Sequence, residues 1–200
     1  MIGARYSRGD TIVELVVAFA IFALAAVGTM ALLNSGVSTT QRDLEVTLVR
    51  QQINAQAELL RHIHDSQDAL WASLVTPGNL TTTPAPISAD QPICPAIGSA
   101  SLDKGFYIKP VINADPTMTT FSRQSTSTTS FYQATPTTYA RIDYAAGAVQ
   151  SQGIWIQVAQ AEDQSGGSIH AYDFYIHACW DSVGVGTPMT LGTIVRLYAQ

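Results

Sequence analysis

The sequence predicts an α+β fold, with a long N-terminal helix packed on an antiparallel β-sheet head. Three observations carry that expectation. An apolar run from Leu15 to Leu33 holds no charged residue. An amphipathic run, Thr39 to His64, follows it, and no proline interrupts either before Pro77. Beyond Pro77, short apolar segments alternate with Gly-, Ser-, Thr- and Pro-rich stretches, as strands and turns do.

The first run is about 19 residues long, and at roughly 1.5 Å per helical residue it matches the ~30 Å hydrocarbon core of a bilayer. It exceeds the roughly 7–15 residues of a signal-peptide core, and no A-x-A-like cleavage site follows it. Arg5 and Arg8 precede it, so the N-terminal side is expected to stay cytoplasmic and the rest of the chain to lie outside. A plain membrane tether would need nothing more. Glu14, immediately before this run, is more than a tether needs: a carboxylate at the edge of an apolar helix costs about 2–3 kcal/mol unless it is paired or reaches the interface.

The helical pattern continues past Leu33. Gly28, Asn34 and Gly36 weaken it, each glycine by about 1 kcal/mol relative to alanine, and mark a place for the helix to bend or melt. In the second run, Leu44, Leu48, Ala55, Leu59 and Ile63 are expected to form an apolar stripe, flanked by Val49, Ile53 and Leu60. Asp10 to His64 would then be a single helix roughly 80 Å long. Its first half is apolar all round and needs lipid or other helices; its second half needs one packing surface.

In the head, Asp65-Ser66 is expected to cap a short helix, Gln67–Val75, ended by Pro77-Gly78. Asn79–Gly98 reads as a Pro/Thr-rich loop and Ser122–Pro136 as a polar surface loop. Strands are expected at 105–112, 137–144, 153–161, 168–180 and 190–199, the third and fourth as a hairpin joined by Glu162–Gly167. Cys94 and Cys179 allow one bridge, expected if both lie outside the membrane and worth up to about 4–5 kcal/mol by chain entropy. The alternative is two separate buried thiols.

Function classes narrow by composition. The chain is 46% hydrophobic and 12% charged, with a net charge of −5, which leaves no basic stripe for nucleic acid. His62 and His64 are two apart on a helix, and His170 and His177 seven apart near a strand; both spacings point the rings to different sides. No HExxH, GxSxG, P-loop or CxxC pattern occurs. Asp173 and Asp181 offer no arrangement beyond what most proteins have. No catalytic residue, cofactor or metal site is expected.

The stretch Arg8-Gly9-Asp10-Thr11-Ile12-Val13-Glu14 resembles the processing site of the type IV pilin and pseudopilin family. Such precursors have a short basic leader ending in glycine, and a glutamate at the fifth mature position of an apolar helix. The resemblance implies a leader at 1–9 cut after Gly9 by a prepilin peptidase. Asp10 would be the new, N-methylated terminus and Glu14 the fifth residue. Asp10 departs from the apolar residue usual there. The implied organisation is a transmembrane and assembly helix at 10–35, the amphipathic helical part of the head at 36–75, and a globular β-rich head at 76–200. In a filament, a neighbour's amine would neutralise Glu14, and a slipped register would leave the charge bare. Processing would also sever the integrin-type tripeptide Arg8-Gly9-Asp10.

The implied function is a structural subunit of an extracellular pilus-like filament, major or minor, serving adhesion or motility. Its partners would be homologous pilin subunits, the prepilin peptidase, the inner-membrane assembly machinery and, before assembly, lipid. The alternatives are a type II secretion pseudopilin and a surface protein that is tethered but never polymerises. Major pseudopilins often carry a calcium loop near the C-terminus; Asp181 in DSVGVGTPMTLG stands alone, which favours the pilin.

Overall fold

In a computed structural model the described residues are 10–82, 84, 94–96, 102–111, 120–127, 131–132, 134, 138–144, 149–161 and 170–199. The expected leader, most of the Pro/Thr-rich stretch and the link Glu162–Gly167 lie outside them. The chain divides into two compact units, Met1–Asp43 and Leu44–Gln200.

One helix, α1, runs from Asp10 to Ser66, 57 residues, and its helical hydrogen bonding continues through Gly28, Asn34 and Gly36. A short helix α2 (Asp68–Leu74) and a 3-10 turn (Pro77–Asn79) follow. The strands are β1 (Phe106–Val111), β2 (Thr120–Ser125), β3 (Phe131–Tyr132), β4 (Arg141–Asp143), β5 (Gln150–Gln152), β6 (Ile154–Gln160), β7 (Ala171–Trp180) and β8 (Met189–Tyr198). Five of them form one antiparallel sheet in the order β2-β1-β6-β7-β8. A small second sheet has the order β3-β5-β4, with β3 parallel to β5. The architecture is α+β, a long N-terminal helix on an antiparallel sheet, as the sequence predicts.

Strand alternation sorts the core into two faces. Ile154, Ile156 and Val158 of β6 and Phe174, Ile176, Ala178 and Trp180 of β7 meet Val49, Ile53, Ala57, Leu60 and Ile63 of α1 and Trp71 and Leu74 of α2. The opposite face carries Trp155 and Cys179, covered by Cys94, Leu102 and Phe131. Strand β6 is therefore buried on both sides. Between β5 and β6, Gly153 has φ +71°, and a Cβ there would collide with the Cys179 carbonyl oxygen, so glycine is required.

Three local expectations need correction. The apolar stripe of α1 is Val49, Ile53, Ala57, Leu60 and Ile63: the three residues expected to flank it, Ala57, and Ile63 from the expected stripe, whereas Leu44 and Ala55 are exposed. Both sets of positions fit the 3.6-residue period, and the buried face is turned from the expected one by about one residue position, roughly 100°. The cap of α2 is Gln67, without a side-chain hydrogen bond, because the Ser66 hydroxyl bonds back to the His62 carbonyl. Finally, the polar stretch from Ser122 is not all loop. Residues 120–125 pair with β1 along six positions, and the Arg123 guanidinium lies 5.0 Å from the centre of the Phe106 ring. Polar residues suit an edge strand, where one side meets water.

Candidate functional site

In the first unit, residues 12–25 of α1 are all exposed, and so are the large apolar side chains beyond them, from Val27 to Val37. Phe22 and Leu24 are 71% and 75% exposed, so this surface has no partner within the chain's described residues. The helix is apolar and long enough to cross a membrane. Glu14 is exposed within it. Polar groups farther along are satisfied locally. The Thr29 hydroxyl donates to the Ala25 and Ala26 carbonyls at 3.0 and 2.9 Å, and Ser38, Thr39 and Thr40 donate to carbonyls one turn back. Such back-bonding lets hydroxyls sit in an apolar setting without bare donors. Gly9 lies outside the described residues; Asp10 is the first helical residue.

In the second unit the same helix is pinned to the sheet by polar side chains that the sequence pattern did not single out. The Trp180 indole N–H donates to Glu45 Oε2 at 3.1 Å, and Glu45 is 8% exposed. Gln56, 1% exposed, receives a hydrogen bond from the Ile108 amide at 3.0 Å and donates to the Ile108 carbonyl at 3.1 Å. The register of β1 with β6 stops at Phe106 opposite Ile156, and the next pair on that side would be Ile108 with Ile154. The amide of Gln56 takes that missing strand's place. Farther up the helix, Gln52 accepts from the Ile142 amide at 3.3 Å. A buried glutamine at helical spacing is the signal that could have found these contacts, because burial demands that its amide be paired.

Cys94 and Cys179 are joined, with their Cα atoms 5.6 Å apart, and each is 1% exposed. The bridge crosses the sheet face opposite the helix and covers Trp155 together with Leu102 and Phe131. Beside it, the His177 ring stacks on Trp155 at 5.3 Å and on Tyr175 at 6.3 Å. Burial pushes the His177 imidazole down to about 4, so it sits neutral in the fold.

The other histidines are engaged one by one. His62 meets the Phe121 ring edge-on at 5.7 Å. His64 lies 2.7 Å from Asp65 Oδ1 and 2.9 Å from the Tyr198 carbonyl oxygen. The hydrogen bond to Asp65 raises its proton affinity, against a smaller opposing effect of burial. Gln160 Nε2 donates to His170 Nδ1 at 3.0 Å. Among the described residues no group of three His, Cys, Asp or Glu side chains is placed to hold a metal. The structure thus brings Cys94 and Cys179 together and keeps Glu14 in a separate unit. Comparison with protein-family models, with curated proteins and with solved structures finds no match.

Proposed function

We propose that this chain is a structural subunit of an extracellular type IV pilus-like filament, held in the membrane by α1 before assembly. The observation that carries the reading is Glu14, an exposed carboxylate near the start of a helix, with Ile12, Val13 and the run from Leu15 to Leu24 around it all exposed and apolar. Such a surface demands lipid or other helices around it. Lipid has no use for the carboxylate, whereas a bundle of processed copies supplies an amine to each Glu14 from the Asp10 terminus of a neighbour. The pair adds little net stability, but it penalises every register that leaves the charge unmatched. Cleavage after Gly9 is part of the proposal, since it creates the amine. The disulfide suits an oxidising compartment outside the membrane.

Glu14→Ala tests the reading. The core of the head is built from residues of the second unit, so the substitution should leave the Cys94–Cys179 bridge and the head's melting temperature unchanged. Filaments sheared from cells should fall to a small fraction of the unaltered level at matched membrane amounts. Equal filament yields would remove the support that Glu14 gives the reading, and an absence of filaments from the unaltered chain would favour a tethered protein that never polymerises.

A further inference from the structure

Strand β8 is an edge of the main sheet and pairs with β7 without a break through ten residues. The amide of Ala199 donates to the His170 carbonyl at 2.7 Å, which fixes the alternation: Met189, Leu191, Thr193, Val195 and Leu197 bond inward to β7. The N–H and C=O groups of Thr190, Gly192, Ile194, Arg196 and Tyr198 therefore point away from the sheet. His64 already binds the Tyr198 carbonyl. Among the described residues, the other four present an open row of donors and acceptors.

Natural edges are blunted by lysine, proline, a bulge or a free charge. Strand β8 has no lysine, proline or bulge. Its one charge, Arg196, is held by both Asp173 carboxylate oxygens at 2.7 Å, so it is neutralised within the chain. Ile194 and Tyr198 are 58% and 57% exposed on the same face. At the far edge, by contrast, β2 is flanked by α2, and its Phe121 meets His62.

We propose that β8 pairs with β8 of a second copy of this chain, antiparallel and about a two-fold axis at Thr193. The strand's own residues select that occupant and that register. Centred on Thr193, Thr190 faces Arg196 of the second copy and Gly192 faces its Ile194. All four open residues are then paired, giving about eight hydrogen bonds. Ile194 covers the bare backbone of the opposing Gly192, and no like charges are opposed. Moving the axis one residue towards the C-terminus sets Thr190 against Tyr198, whose carbonyl is taken. Moving it one residue the other way sets Arg196 against Pro188, which has no N–H. A two-fold contact closes on itself. It joins copies in two filaments, or two membrane-held copies, and does not extend one filament. The pairing does not rest on the filament reading, and Glu14→Ala should leave it intact.

The test uses the full chain in detergent micelles. On oxidation, Thr193→Cys should form a disulfide-linked dimer, because a non-hydrogen-bonded pair holds the Cα atoms about 4.5 Å apart, within disulfide reach. Thr190→Cys should give about tenfold less, since the two copies of residue 190 lie six positions apart in this register, roughly 20 Å. Adding Ile194→Lys to Thr193→Cys should lower the linked fraction by about tenfold. In the unaltered chain, the amides of Thr190, Gly192, Ile194 and Arg196 should be protected from hydrogen exchange at high concentration and released on dilution. Equal linking at both cysteines would overturn the proposal. So would an absence of linking together with fast, concentration-independent exchange. A different protein's strand seated on β8 of a monomeric chain would overturn it as well.

Discussion

Residues 12–43 and 44–66 of α1 share one helical backbone and carry opposite surfaces. In the first stretch nearly every side chain is exposed, and the exposed ones up to Leu33 are apolar apart from Glu14 and Thr29. In the second, an apolar face of Val49, Ile53, Ala57, Leu60 and Ile63 is buried and the charged residues Arg50, Glu58 and Arg61 face water. The contrast teaches where each stretch gets its stability. The second is held by the sheet. The first has propensity and its own hydrogen bonds alone until lipid or other helices surround it, and a helix is stabilised mostly by packing of its apolar face. One sequence thus encodes a finished interface and an unfinished one on the same element.

The largest test of that contrast pairs two leucines. Leu60 is fully buried in the head core, whereas Leu32 is 74% exposed. Leu60→Ala removes buried methyl groups and leaves a cavity, so it should destabilise the head by about 3 kcal/mol. Leu32→Ala should leave head stability unchanged in detergent. Denaturant unfolding followed by tryptophan fluorescence measures both, since Trp71, Trp155 and Trp180 are all buried in the head. Equal effects would mean that the two stretches are not energetically separate.

Much of this division was legible in the sequence, because hydrophobic pattern reports environment directly. An uncharged run predicts the exposed apolar surface, and alternation located β1, β6, β7 and β8 to within a few residues. The bridge is expected on the condition that both cysteines lie outside the membrane, and the two are joined. What the pattern missed was polar. Strand β2 has the composition of a loop and becomes a strand because β1 offers it six partners. The stripe of α1 was misplaced by one position since Leu44 and Leu48 are as apolar as Val49 and Ile53, and it is the sheet that chooses among them. Gln56 and Glu45 are polar and belong to no apolar pattern, and only the fold brings the backbone of Ile108 and the indole of Trp180 to meet them. Gly9 and Glu14 were legible as a motif, but their chemistry depends on other molecules.

A second test sharpens the comparison at smaller cost. Gln56 and Gln51 sit on the same helix; one is buried with both amide groups bound to Ile108 and the other is exposed. Gln56→Met keeps the volume but leaves a buried N–H and C=O unpaired, and should cost about 2 kcal/mol. Gln51→Met should fall within about 0.5 kcal/mol of the unaltered chain. The same unfolding measurement decides it. A neutral Gln56→Met would mean that water reaches Ile108 and that the sheet ends there without help from the helix.

The smallest expected effect is a pH dependence confined to the head, and two histidines drive it in opposite directions. His177 is neutral in the fold because burial lowers its affinity for a proton from the ordinary 6.5 to about 4. Its ring packs against Trp155 and Tyr175, with Gly192 opposite on β8. As pH falls below 6.5 the unfolded chain takes up a proton that the folded ring refuses. Stability present above 6.5 is therefore lost on acidification, by roughly 1 kcal/mol between pH 6.5 and 5.5. His64 has the opposite sign. Both of its ring nitrogens face acceptors, the Asp65 carboxylate and the Tyr198 carbonyl, with the Trp71 ring edge-on at 4.7 Å. The charged ring donates to both, so its proton affinity is raised. The stability it adds is complete below 6.5 and is lost as pH rises through the folded value. The head of the unaltered chain should lose stability between pH 6.5 and 5.5. His177→Gln should remove most of that loss, and His64→Gln should flatten the profile above 6.5 instead. Melting temperatures at half-unit pH steps distinguish the two. A decline below 6.5 that survives His177→Gln would place the titrating group elsewhere in the molecule. An unchanged profile in Glu14→Ala would keep that group inside the head.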